Sequence, residues 1–151
     1  MARINPWAAE YAAPEPEPVT RTLSAPGAPD LVLTLRPLDE FTTEAAFAQA
    51  AEWEAVHVKG KGGAKPLPLA VPGGCPPLSR NILDAIAFLC QMQVPEAGEE
   101  PYSLLDWLGF AKQQKLRPLW RQAIAFTNEV NKAAETAAPN PPATATSASS
   151  T

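Results

Sequence analysis

The chain carries one histidine, His57, and two cysteines, Cys75 and Cys90. Nucleophilic catalysis needs a base beside a nucleophile, with a third group orienting the base. No Ser, Cys or Asp is spaced to serve His57 in that way. His57 follows Val56 near the end of a helical run, where a positive charge complements the helix dipole, so it reads as structural. Cys75 stands between Gly74 and Pro76 with no Cys-x-x-Cys partner, and Cys90 lies inside an apolar run where burial is expected. Two cysteines are too few for a disulfide framework or a structural zinc site, which fits free thiols in a reducing compartment. The carboxylate pairs Asp39-Glu40 and Glu99-Glu100 fall in connectors and read as solvated turns.

Lys59-Gly60-Lys61-Gly62-Gly63-Ala64-Lys65 sets three lysines among glycines and invites an anion-binding reading. The phosphate-loop pattern is not met, because no Gly-Lys is followed by Ser or Thr, and no G-x-G-x-x-G occurs. A solvated loop is the expectation, with contact to nucleic acid or an acidic partner as the alternative. The residues therefore predict no catalytic centre, no metal ligands and no cofactor: a non-enzymatic binding or assembly role.

The 151 residues include 18 prolines, more than twice the usual share of about 5%. They cluster near both ends and between Pro66 and Pro77. The foldable part is 19–135, a single small domain interrupted by a flexible loop at 59–78. Residues 1–18 form a flexible Pro-rich arm and 136–151 a disordered Ala/Ser/Thr/Pro tail. A net charge of −4 disfavours general binding to nucleic acid or acidic membrane. The N-terminus lacks the apolar stretch of a signal peptide, and the run at 85–90 is too short to span a bilayer, so the expected place is the cytoplasm.

The elements follow from periodicity. Residues 19–23 and 31–36 alternate around a Pro26-Gly27 turn and predict a β-hairpin, with Leu31, Leu33 and Leu35 sharing one face. Two strands are marginal alone, so that face must pack on helices or another chain, and the free strand edge is a ready site for pairing. Residues 42–58 predict an alanine-rich helix capped by Thr42 or Thr43, with Phe47 beside its Ala46–Ala50–Trp53 face. Ser79–Gln93 predicts the most apolar helix, with Ser79 as its cap. Ser103-x-x-Asp106, a shortened capping box, opens the run 103–134, which Pro118 breaks or kinks. The fold class is α+β and mostly helical: a short hairpin packed on three or four helices.

Core packing accounts for Trp53, Trp107, Trp120, Phe110 and Phe126. Trp107 and Phe110 stand beside the Leu104–Leu108–Ala111 stripe, so one of them is expected in a groove or interface. Ile4, Trp7 and Tyr11, at spacings of three and four, read as stray aromatics of the arm or as a short anchor for a partner.

The order of elements adds a resemblance. An extended Leu31–Leu38 precedes an alanine-rich helix, a variable loop, an apolar helix and a helix pair. That pair carries Tyr102, Ser103, Trp107, Ala111 and Trp120 and ends at Asn128–Asn131. Over about Val19 to Asn131 this resembles the small tail assembly chaperones of long-tailed bacteriophages. The resemblance implies a protein without catalytic residues in the bacterial host cytoplasm. Its partner would be the apolar, helical tape-measure protein or the tail-tube protein, with self-association also open. The partner-contact candidates, taken from periodicity, are Leu105, Trp107, Phe110, Trp120 and Phe126. The alternative is a structural virion component whose terminal arms link subunits. A regulatory nucleic-acid binder using Lys59, Lys61 and Lys65 is a further rival, and an enzyme built on His57 the last.

Overall fold

The computed structural model describes residues 3–12 and 14–137. The protein is α+β and mostly helical, with four α-helices and one two-stranded antiparallel hairpin among the described residues. Strands β1 (Val19–Leu23) and β2 (Leu31–Leu35) pair in the register Val19↔Leu35 through Leu23↔Leu31. Alternation decides what each face does: Leu31, Leu33 and Leu35 are buried, while Val32 points to solvent. The leucine face packs on helices, as two lone strands require.

Helix α1 (Glu40–Glu54) starts at a cap that lies upstream of Thr42 and Thr43. Asp39 is the N-cap: its Oδ1 accepts from the Thr42 amide at 2.7 Å, and the Thr42 hydroxyl accepts from the Asp39 amide at 2.9 Å. The helical run then loosens into a π turn over Ala55–Lys59. Ala46 and Ala50 are wholly buried against α2 (Arg80–Met92), so the inward face of α1 is built of small side chains. Ser79 caps α2, accepting from the Ile82 amide at 3.3 Å. Leu83, Ile86, Ala87, Leu89 and Met92 bury its inner face.

Helix α3 (Leu104–Lys112) opens on the expected box: Ser103 N–H donates to Asp106 Oδ2 at 2.8 Å, and the Asp106 amide to Ser103 Oγ at 3.3 Å. The chain leaves the helix at Gln113 and resumes as α4 (Arg117–Ala137). Pro118 sits in the first turn of α4, where its missing N–H costs nothing, so it starts a helix rather than kinking one. On α4, residues 119, 123, 126 and 130 form the buried stripe. Side-chain bridges lock the elements together. Leu38 N–H donates to Asn131 Oδ1 at 3.0 Å, and Gln122 takes both backbone groups of Ser24. Arg21 pairs with Glu129, its guanidinium 4.5 Å from the Phe126 ring centroid.

The 59–78 segment lies along the surface through Val71, which is buried, and Leu69, which is half-buried. His57 Nδ1–H donates to the Leu67 carbonyl at 2.8 Å, and Lys112 Nζ to the Gly74 carbonyl at 2.7 Å. In the arm, Ile4, Trp7 and Tyr11 are exposed, and Glu15 reaches Arg36 at 3.1 Å. The low-complexity tail read at 136–151 lies outside the described residues beyond Ala137.

Candidate partner-binding site

The residues singled out for partner contact fall mostly in the core. Trp107 and Phe126 have 0% exposure and Trp120 is buried. They belong to an aromatic cluster: Trp107 lies 5.2 Å from Phe110, 6.2 Å from Trp120 and 5.3 Å from Tyr102, centroid to centroid. The correction is one of helical spacing. Residues 104, 107, 108 and 111 stand at i, i+3, i+4 and i+7, so Trp107 lies on the inward stripe. Leu105 falls off it and is 41% exposed. Phe110 is half-buried, packed on Tyr102 and Trp107. A partner can reach Leu105 and part of Phe110; Trp107, Trp120 and Phe126 carry stability.

The exposed aromatic surface lies elsewhere. Because alanines fill the inner face of α1, its phenylalanines turn outward: Phe41 is 84% exposed and Phe47 39%. Phe47 meets Phe88 of α2 edge to face, with centroids 5.3 Å apart and planes at 64°. Phe88 in turn lines a groove of about 420 Å³ between the start of α1 and the end of α4. Its walls are Leu38, Thr43, Asn131 and Ala134, with the carboxylates of Asp39, Glu40 and Glu135 at the same opening. Glu40, Thr43 and Phe47 recur at three and four, so Phe47 extends the groove along α1. Contact with Thr42 holds the Asp39 carboxyl below the usual range, first through the backbone amide and then the hydroxyl. The groove therefore presents apolar walls with negative charge beside them.

The chemistry-bearing residues are dispersed. His57 is tied to the Leu67 carbonyl. Burial, aided by nearby Asp106, pushes the Cys90 thiol up to about 11. Burial also raises the Cys75 thiol, against the opposing charge of Lys112. Of the loop lysines, Lys61 binds Glu52 at 2.9 Å and Lys59 lies 3.6 Å from Glu54, so two of the three are neutralised by α1. That weakens the anion-binding alternative. Among the described residues no group of three His, Cys, Asp or Glu side chains could hold a metal ion, and no helix is long and apolar enough to cross a membrane. No protein-family model, curated protein or solved structure matches the chain.

Proposed function

We propose that the protein is a non-enzymatic assembly chaperone that holds an apolar, amphipathic helix of its client in the groove beside Phe88. The observation that carries this reading is the aromatic ridge of Phe47 and Phe88 leading into a groove walled by Leu38 and Ala134. Helix-in-groove recognition uses such a surface: apolar anchors at three- and four-residue spacing fill it and exclude water. The carboxylates of Asp39, Glu40 and Glu135 favour a client with basic residues beside its apolar face. A single groove of this size binds weakly, and many copies along a long helical client would add by avidity.

The resemblance in element order to phage tail assembly chaperones supplies the client class: the tape-measure protein, held in the host cytoplasm while tube subunits assemble. Co-expression with a tape-measure protein of this class, followed by affinity capture and sizing, tests the reading. A stable complex that is lost in a Phe41→Ser/Phe47→Ser double variant supports it. No complex, together with recovery of this protein in purified particles, replaces it with the structural virion component.

A further inference from the structure

The outer edge of β2 is open along part of its length, and what surrounds that opening is not neutral. In an antiparallel ladder, successive residues turn their N–H and C=O groups to opposite edges. At the C-terminal end of β2 the outward groups are partly taken. The Val94 amide donates to the Thr34 carbonyl at 3.0 Å, and the Arg36 amide to the Met92 carbonyl at 2.8 Å. This antiparallel bridge, Leu35↔Gln93, goes no further: Pro95 follows and the chain turns through Glu96–Glu99. The Val32 N–H and C=O and the Thr34 N–H are left without a hydrogen-bond partner among the described residues.

Those groups line a groove of about 510 Å³ between residues 30–34 and residues 93–102. Its far wall is pinned at both ends. Gln93 Nε2 donates to the Tyr102 carbonyl at 3.0 Å, and the Tyr102 amide donates to Gln93 Oε1 at 2.9 Å. Beyond Val94 the 95–101 turn stands off the strand instead of closing over it. Four carboxylates surround the opening: Asp30, Glu96, Glu99 and Glu100. None of them is in an ion pair among the described residues; Asp30 accepts only the Ser24 hydroxyl, at 3.0 Å. Burial, then Glu99 and Asp106, raise the Tyr102 phenol, so its ring stays neutral beside this charge.

We propose that this edge is a second binding site, distinct from the helix groove, which adds an extended basic segment of a partner protein as a third strand. Backbone groups at Val32 and Thr34 supply the register, and the carboxylates supply the selection for lysine and arginine. Pairing with a second copy of this chain is disfavoured by the same charges, because it would set two copies of the four carboxylates against one another.

The test uses fluorescence anisotropy with the full chain and a labelled seven-residue peptide alternating lysine and valine. Two control peptides carry N-methyl groups on alternate amides, one in each phase, and a third replaces lysine with glutamate. The expected result is binding that weakens with salt. It should be lost with one N-methyl phase and with the glutamate peptide, and weaken about tenfold or more in Glu96→Gln/Glu99→Gln/Glu100→Gln. These surface substitutions leave the fold intact, which circular dichroism checks. The Phe41→Ser/Phe47→Ser variant should bind this peptide unchanged, which separates the site from the helix groove. Equal binding of both N-methyl phases would reduce the effect to charge attraction and overturn strand addition. No binding of the basic peptide at low salt would overturn the site altogether.

Discussion

Phe47 and Phe88 form the outer seam between α1 and α2, ring edge to ring face at 5.3 Å, while Ala46 and Ala50 close the inner seam with no exposure at all. The two buried positions of α1 are alanines, Trp53 is half-buried on the core, and Phe41 and Phe47 are exposed. That arrangement leaves two aromatic rings of α1 at the surface. It also divides the aromatic side chains of this protein into those that hold the fold and those free to bind.

The buried group should answer to mutation as core. Phe126→Ala and Trp107→Ala each remove a fully buried aromatic ring, and the expected loss is about 3–5 kcal/mol in urea unfolding. Phe41→Ser, at a side chain 84% exposed, should leave the midpoint within about 0.5 kcal/mol of the parent. A large loss for Phe41→Ser with little for Phe126→Ala would reverse the assignment.

The cap of α3 is a local device with a measurable value. Ser103→Ala removes the oxygen that accepts from the Asp106 amide, and a loss of about 1 kcal/mol is expected from chemical denaturation. Ser103→Asp keeps an acceptor at that position but sets a second carboxylate against Asp106, so it should recover less than Ser103→Thr.

The two thiols should separate by reactivity. Cys75 is exposed, and Cys90 has its pKa pushed to about 11, so one equivalent of a thiol-reactive disulfide is taken up at pH 8 in the native state and two in denaturant. The same shift has a stability consequence. A thiol with a folded pKa raised from 9.0 to about 11 contributes stability that is complete below pH 9 and is lost as pH rises to about 11. Cys90→Ala should flatten that alkaline decline. A decline of equal size in the variant would assign it to other groups.

Much of the scaffold could be read from spacing alone. Leu31, Leu33 and Leu35 announce a one-faced strand, and Ser79 and Ser103 announce two helix starts. The spacing offers Thr42 or Thr43 as the cap of α1, whereas Asp39 takes that place; it sits in an acidic pair that also suits a solvated turn. The proposed binding surface is not legible for a more general reason. Periodicity marks a buried face by its large apolar residues, and α1 has almost no such asymmetry: its buried positions are Ala46 and Ala50, while Phe41 and Phe47 point out. The one sequence signal was that Phe41 and Phe47 stand off the Ala46–Ala50–Trp53 face. Trp107 is the opposite case: the spacing sets it beside the Leu104–Leu108–Ala111 stripe, but at i+3 from Leu104 it completes that stripe and is buried. Phe88 and Ala134 come together with Leu38 only through tertiary packing, which no local pattern encodes.

The most direct measurement is affinity capture of a long helical tape-measure protein, the proposed client, co-expressed with the parent and with Phe41→Ser/Phe47→Ser. Sizing and circular dichroism confirm that the variant is folded. The expected result is a soluble complex with the parent that is lost, or at least tenfold weaker, in the variant. A complex of undiminished strength in the folded variant would contradict the groove beside Phe88 as the client site. The absence of any complex, with this chain retained in finished particles, would contradict the chaperone reading itself.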